Sequence, residues 1–420
     1  MAKIGVLGLG TVGKGLVELI DRNRDLISSR SDVELSIKSA YVRDNGKPRP
    51  LSKEKLTHDP ETIFSDPEIS IVVEVIGGIE PAKSLILRAL EAGKNVVTAN
   101  KAVLARHGDE IFEAANKSGK RVGFEASVCG GIPILRALSS GLIANRVDEL
   151  IGILNGTSNF ILSKMTDEGL TYNEALLEAQ NQGLAESDPS FDVGGIDAAH
   201  KLLILAELTF QTKATLEDIS IRGIENIDSV DVRSAKEFGF QIKPLAIANQ
   251  KGSRLELRVH PALVASSSPL AAVNQEFNAV LVRGDAIGEM IFYGKGAGSL
   301  PTASAVLSDI VEIARSSAAP LIWNPLRSVK IAPISTNSRY YLRFPIFDRP
   351  GLIGKIATIL GEHGVSITHA SARLDCDETQ GGNVMIITHH ANAEELNFAL
   401  NEIRSQNVLR SKSVSIRILD

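Results

Sequence analysis

The chain has 420 residues, 44% of them hydrophobic, with 45 basic and 50 acidic side chains and a formal charge of -5. That length suits two or three domains with ample core, and charges of both signs interspersed along the chain give no reason to expect a nucleic-acid or anionic-membrane partner. No apolar run has the length of a membrane span, Lys14, Glu18, Asp21 and Arg22 after MAKIGVLGLG do not suit a signal peptide, and the distant Cys129 and Cys376 fit a reducing cytoplasm better than a disulfide or a zinc site.

In chain order, residues 3–8 read as a short buried strand, the glycines of 8–15 as a tight turn opening a helix, and 34–42 as a second strand. Apolar runs at 71–76, 94–98 and 121–125 then alternate with helical patterns at 81–92 and 104–118. Strands spaced by helices predict a parallel sheet covered on both faces, so residues 1–130 are expected to form a Rossmann-type doubly wound α/β domain. Its first turn carries Gly8, Gly10 and Gly13 in G-x-G-x-x-G spacing. The first glycine permits the turn, the second lets the backbone approach a pyrophosphate, and the third allows close helix packing. Free amides at the helix start, around Thr11, Val12 and Gly13, would then meet phosphate.

The second strand ends at Arg43, with Lys47 and Arg49 in the loop beyond. The planar fork of Arg43 suits a ribose 2′-phosphate and favours NADP(H) over NAD(H), while the adjacent Asp44 could serve the 2′-hydroxyl of NAD instead. Lys101, in NVVTANKAVL, follows a parallel strand, and the carboxyl ends of such strands line the ligand crevice.

Residues 147–154 read as a strand, 157–168, 172–183 and 197–212 as helices, and 245–292 as short strands separated by Ser, Asn and Gly turns. This predicts an α+β domain over 131–316 with a partly antiparallel sheet, and the helical pattern from Thr302 is read as completing the first domain over 302–320. The stretch from Ala179 to Lys201 holds Glu186, Asp188, Asp192, Asp197 and Lys201. Asp197 and Lys201, four apart, share one helix face, where the carboxylate can orient the ammonium. A lysine whose pKa is lowered by burial can carry a proton for an alcohol and carbonyl pair, and its ammonium can stabilise an alkoxide. Lys101 is a second candidate, and Glu186 could hold the ammonium of a zwitterionic substrate. The same Asp–Lys spacing is also ordinary on solvated helices. His200 points to another helix face and reads as structural, and the remaining histidines, His389 and His390 among them, suggest no metal site.

A Pro-, Ser- and Asn-rich stretch, 317–339, is expected to be a linker. Beyond it, 340–347, 365–374, 383–389 and 413–419 read as strands, with helices at 351–363 and 393–404. That βαββαβ order predicts a ferredoxin-like domain over 340–420.

With GLGTVG at 8–13, TANK at 98–101, FEASVCGGIP at 124–133, NGTSNFIL at 155–162, the 179–201 stretch and GAGSLPTASAV at 296–306, the chain resembles homoserine dehydrogenases over essentially its whole length. The resemblance implies reversible NAD(P)H-dependent reduction of L-aspartate 4-semialdehyde to L-homoserine, on the route to threonine, isoleucine and methionine. Carried over to this sequence, Lys201 would give or take the proton at the substrate oxygen. Lys101 would assist it, in contact with substrate and cofactor. Glu186 and Asp192 would bind substrate or shape its site, Asp197 would orient a lysine or a water, and Gly298 would join the cofactor site. The resemblance also implies a monovalent cation, sodium, held mainly by the main-chain carbonyls of Glu125, Val128, Gly130 and Ile132. Two positions depart from the family. Lys295 stands where proline is common, adding a cation that could alter cofactor preference or simply reach solvent; Cys129 replaces a small apolar residue and is read as a tolerated small hydrophobe.

The segment FDRPGLIGKIATILGEHGVSI at 347–367 resembles the start of an ACT domain, with Asp348, Pro350 and Gly351 in the loop before its first helix and Gly364 and Ser366 leading to the next strand. This implies an amino-acid effector, L-threonine by pathway logic, and side-by-side pairing of such domains in a homodimer or homotetramer. Stabilisation of the oligomer alone is the other reading left open.

Overall fold

The computed structural model describes residues 1–43, 48–315, 330–331, 337–374 and 381–419. Six strands, β1 (Ala2–Leu7), β2 (Leu35–Tyr41), β3 (Leu56–Thr57), β4 (Ile69–Glu74), β5 (Asn95–Thr98) and β6 (Val122–Gly123), form a parallel sheet in the order β3-β2-β1-β4-β5-β6. The chain builds outward from β1 in one direction and then returns to build outward from β4 in the other. The carboxyl ends of β1 and β4 therefore flank the crevice where such sheets take their ligands. Val6 pairs with Ala40 on one side and Val73 on the other. The apolar runs of β1 and β4 are buried because helices cover both faces.

Helix Thr11–Arg22 buries Leu16, Val17, Leu19 and Ile20 along one stripe. Helix Ser299–Arg315 packs against it, three residues ahead of the expected start. A Cβ at Gly15 would lie 2.6 Å from Ser299 Oγ, so glycine sets how closely the two helices approach. The expected strand at 121–125 is shorter, because Phe124 leads into the 3-10 turn Glu125–Ser127, where the Glu125 amide donates to Asp309 Oδ2 at 2.9 Å.

The remaining strands are β7 (Val147–Ile153), β8 (Ser220–Ile221), β9 (Phe240–Lys251), β10 (Arg254–Ala265), β11 (Phe277–Gly284), β12 (Gly288–Lys295), β13 (Lys330–Ile331), β14 (Asn337–Ser338), β15 (Tyr340–Ile346), β16 (Ile367–Leu374), β17 (Gly382–Thr388), β18 (Ala391–Asn392) and β19 (Val414–Ile418). One mixed sheet runs β12-β11-β7-β9-β10-β19-β15-β17-β16, with β8 and β13 also on β10, while β14 pairs with β18. The βαββαβ unit is completed by helices Leu352–Glu362 and Ala393–Ser405. Its sheet is continuous with the middle of the chain, because β19 lies parallel to β10 through Ala262 with Arg417 and Leu263 with Ile418. Most of the expected linker, 317–329 and 332–336, lies outside the described residues; 330–331 and 337–339, with β13 and β14, are its described parts. Helix Ser229–Glu237, which hydrophobic patterning does not announce, is closed at its start by Asp228 and Asp231 in a reciprocal capping box. Among the described residues no helix is long and apolar enough to cross a membrane.

Candidate active site

Helix Ile196–Phe210 is buried along almost its whole length, so the ionisable groups near its start are carried into the interior. Gly195 allows that entry: its φ is +86°, and a Cβ there would fall 3.1 Å from Val259 Cγ1 and 3.2 Å from Ile221 Cγ2. Asp197, 4% exposed, is the hub. Its Oδ2 accepts from Lys201 Nζ at 2.8 Å and from Asn155 Nδ2 at 2.9 Å, while Oδ1 pairs with Lys101 Nζ at 2.9 Å. Lys201 Nζ also donates to the Leu154 carbonyl at 2.6 Å. Asn155 Nδ2 bridges to Asp192 Oδ1 at 2.7 Å, and Asn155 Oδ1 caps helix Gly156–Asp167 by accepting from the Ser158 amide at 2.7 Å.

Lys101 arrives from the parallel sheet. Just past β5, Asn100 caps helix Lys101–Ser118, and its Nδ2 donates to Gly78 O at 2.7 Å. The Thr98 hydroxyl donates at 2.6 Å to the fully buried Glu74 at the end of β4. These bonds fix the strand ends from which Lys101 meets Asp197, so the cluster joins the first sheet to the helix below the second. Lys101 remains about one-third exposed, whereas Lys201 is nearly enclosed.

Burial works against a charged Asp197, but Lys201 and Lys101 outweigh it and hold the carboxyl below the ordinary range. Burial likewise pulls against the Lys201 charge, yet Asp197 prevails and the ammonium is held above the ordinary lysine value. The condition of a pKa lowered by desolvation is therefore not met at Lys201. The resting group is an ammonium, suited to stabilising an alkoxide and giving it a proton. Burial raises Asp192, with the Asn155 hydrogen bond opposing it.

Lys101, Asp192, Asp197 and Lys201 are thus brought together, whereas Glu186 is exposed and outside this hydrogen-bonded cluster. Asn155 is the residue sequence reasoning missed; it entered only as part of NGTSNFIL. Its position before a helix is the available signal. His200 is buried with its ring edge-on to Phe191, and burial lowers its pKa, in keeping with a structural role.

The dinucleotide turn has the form its glycines require. Gly8 has φ +102°, a Cβ at Gly13 would lie 2.4 Å from Gly8 O, and a Cβ at Gly10 would meet nothing within 4 Å. Gly10 offers no side-chain cap, leaving the first-turn amides for a ligand. Gly298, φ +119°, precedes Ser299, whose hydroxyl donates to Thr11 O at 2.7 Å, so that segment lies against the turn. Arg43 is exposed just past β2, while Asp44 and Lys47 lie outside the described residues. These features fit NAD(P).

The proposed cation loop turns through Cys129 and Gly130, with φ +54° and +43°. The buried Val128 and Gly130 carbonyls accept no hydrogen bond from the described residues, so a cation would satisfy oxygens that are otherwise costly to bury. The Glu125 carboxylate accepts from the Leu135 and Arg136 amides, each at 2.8 Å, while the carbonyls of Glu125 and Ile132 accept from the Val128 amide at 3.4 Å and the Ile134 amide at 2.8 Å and keep one lone pair each for a cation. Burial pushes the Cys129 thiol up to about 11, consistent with a packed hydrophobe. Lys295 Nζ sits 3.7 Å from Glu276 and 6.0 Å from the Phe277 ring centroid, engaged with its own hairpin. Among the described residues no cluster of three or more His, Cys, Asp or Glu side chains could hold a metal.

A parallel dinucleotide-binding sheet whose strand ends meet a buried lysine and carboxylate cluster defines an NAD(P)-dependent dehydrogenase. The family model "Homoserine dehydrogenase, NAD binding domain" matches residues 8–125, "Homoserine dehydrogenase" matches 133–311 and "ACT domain" matches 340–407. The chain belongs to the homoserine dehydrogenase family, carries a C-terminal ACT domain, and interconverts L-aspartate 4-semialdehyde and L-homoserine with NAD(P)H. It is 44% identical to the homoserine dehydrogenase of Synechocystis sp., over 99% of both chains, and 39% identical to that of Bacillus subtilis, over 99% of this chain and 98% of the other. The crystal structure of a homoserine dehydrogenase from Thiobacillus denitrificans matches with a TM-score of 0.93 at 42% identity, covering 100% of this chain and 98% of that one. A hyperthermophilic archaeal homoserine dehydrogenase in complex with NADPH matches with a TM-score of 0.63 at 29% identity, covering 74% of this chain and 97% of that one.

Proposed function

We propose that Lys201 is the proton donor in the reduction, oriented by Asp197 and assisted by Lys101. The observation carrying this reading is the single buried carboxylate shared by lysines from the two parts of the site. Bound NAD(P)H supplies the hydride. As the aldehyde oxygen becomes an alkoxide, the Lys201 ammonium stabilises it and gives up a proton, leaving a neutral amine; in the reverse direction that amine takes the hydroxyl proton. Asp197 keeps Nζ directed and favours its charged form. Lys101, Asp192 and Glu186 contact substrate or shape its site around this centre. Lys101 also borders the nicotinamide.

The dinucleotide lies over Gly8, Gly10, Thr11, Val12, Gly13 and Gly298, and Arg43 selects NADPH. The carbonyls of Glu125, Val128, Gly130 and Ile132 would hold a sodium ion. Residues 1–130, completed by 302–320, form the cofactor domain, 131–316 the substrate and dimerisation domain, 317–339 the linker and 340–420 the regulatory domain. The enzyme works in the cytoplasm as a homodimer or homotetramer, a reading supported by Met290, Ile291 and Tyr293 exposed on the edge strand β12. L-Threonine is the effector, and the exposed Asp348–Pro350 loop before Gly351 is the candidate contact.

Initial rates of NADPH and NADH oxidation with L-aspartate 4-semialdehyde, with and without L-threonine, test these points together. Expected are faster turnover with NADPH, a smaller NADPH preference in Arg43→Ala, and inhibition by threonine. Lys201→Ala should keep cofactor affinity while lowering kcat by at least about a hundredfold, the usual scale of a lost acid–base group. Unchanged kcat in Lys201→Ala removes Lys201 from the mechanism.

A further inference from the structure

A cavity of about 290 Å³ lies where the ACT unit joins the central sheet, with walls from both. Arg222 follows β8, His260 lies on β10, Arg417 lies on β19, Arg404 lies on helix Ala393–Ser405, and Lys412 and Ser413 immediately precede β19. No aspartate or glutamate is among its lining residues. Arg222 Nη1 donates to Ser415 O at 2.7 Å and Arg404 Nη1 to Asn401 Oδ1 at 3.2 Å, both neutral partners, while Arg417 Nη1 donates to Ser338 Oγ at 3.0 Å. The nearby Arg258 pairs with Glu256 at 2.8 Å. Arg222, Arg404 and Lys412 therefore give the wall an excess of positive charge. Burial lowers the pKa of Arg222 and Arg417, and the buried His260 is held down to about 3 by burial together with Arg258, Arg417 and Arg222.

Ser413 supplies an independent observation. It is 6% exposed, and its buried hydroxyl has no hydrogen-bond partner among the described residues. The same is true of His260 Nε2, whose opposite ring nitrogen is 3.0 Å from Pro261 O. A hydroxyl without a partner beside partly desolvated cations is a setting in which an oxyanion gains charge-assisted hydrogen bonds.

We propose that this cavity binds a small oxyanion bearing at least two negative charges, a phosphate ester or a dicarboxylate. Arg222, Arg404 and Lys412 neutralise it, and Ser413 contributes a hydroxyl. A zwitterionic amino acid is a poor fit, because the lining has no carboxylate for its ammonium. The site is thus separate in both place and chemistry from a threonine site at the Asp348 loop, and independent of the catalytic assignment.

Isothermal titration of the full chain with inorganic phosphate and with malonate, at ionic strength held constant with sodium chloride, tests this. Arg404→Gln combined with Lys412→Gln removes two exposed cations with little burden on folding. One site per chain is expected for at least one probe, weakened at least about tenfold by the double substitution, as loss of two charge-assisted contacts requires. Arg43→Ala, at the dinucleotide site, should leave it unchanged. Preference for phosphate identifies a phosphoryl ligand, and preference for malonate a dicarboxylate. Absence of binding, binding indifferent to the double substitution, binding lost in Arg43→Ala, or L-threonine binding lost with Arg404 and Lys412 would each overturn the proposal.

Discussion

Asp309 is a buried carboxyl with a demand on pH that the catalytic cluster does not make. It sits on helix Ser299–Arg315 and accepts from the Glu125 amide at 2.9 Å and from Arg136 Nη2 at 3.1 Å. Burial nevertheless pushes its pKa up to about 7, with the hydrogen bond from Glu125 opposing. A folded-state pKa above the unfolded value means that the folded chain binds the proton more tightly. The resulting stabilisation is complete below the ordinary aspartate value and is lost as pH rises through about 7. Asp309→Asn, neutral throughout like the protonated carboxyl, should flatten the fall in Tm between pH 5 and pH 8, with the charge pairing to Arg136 lost only at the alkaline end. An undiminished fall in the variant would assign that pH dependence to other groups. Asp309 was invisible in the sequence because its partners at 125 and 136 are more than 170 positions away. Asp197 and Lys201 were legible because helical spacing alone puts them on one face. Their electrostatics were not, since the shift depends on the approach of Lys101 and on which of burial and pairing prevails.

At the scale of one element, the glycine turn separates a requirement of folding from a requirement of binding. Alanine at Gly13 would set its Cβ 2.4 Å from Gly8 O, a collision with backbone that the turn must open to relieve. At Gly10 the added methyl meets no protein atom within 4 Å and projects into the space through which a pyrophosphate must approach. Gly13→Ala should therefore lower both Tm and NADPH affinity, whereas Gly10→Ala should keep Tm within about 2 °C, the effect of a few tenths of a kcal/mol, while weakening NADPH at least about tenfold. Thermal melts beside fluorescence titration of NADPH separate the cases, and equal Tm losses would mean that Gly10 serves the turn alone. This element was readable because its chemistry is local: a strand, three spaced glycines and an amphipathic helix. Helix Ser229–Glu237 was not, because its polar sequence relies on a capping box and on packing against the distant helix Gly156–Asp167. The cation loop was marked by family resemblance, but the left-handed Cys129 has no local signature, since cysteine seldom adopts that conformation.

Across the whole molecule, the ACT unit shares both sheet and core with the catalytic part. Tyr341, Met385, Ile387, Val414 and Ile416 pack in one buried cluster with Phe160, Ile161, Ile242 and Leu263. The Pro- and Ser-rich stretch before residue 340 marked a boundary in sequence, but nothing local marks the parallel pairing of β10 with β19, which joins segments about 150 residues apart without a hairpin turn. A polar fastening crosses the same junction. Asp231, fully buried on helix Ser229–Glu237, accepts from the Tyr341 hydroxyl at 2.9 Å and from Arg343 Nε and Nη2 at 2.6 and 3.0 Å. Removing Arg343 leaves a buried carboxylate without its counter-charge, a loss of roughly 3–5 kcal/mol for pairs of this kind. Arg343→Leu should therefore lower the urea midpoint and split a joint transition in two, the ACT unit unfolding first. Adding Asp231→Asn should restore much of the loss, because the amide carries no charge to strand and its oxygen still accepts from Tyr341. Denaturation followed separately by fluorescence of a label on the ACT unit and by NADPH binding distinguishes the two parts. If Arg343→Leu still melts in one step at the wild-type midpoint, the shared apolar core holds the units together and the buried ion pair contributes nothing measurable to their union.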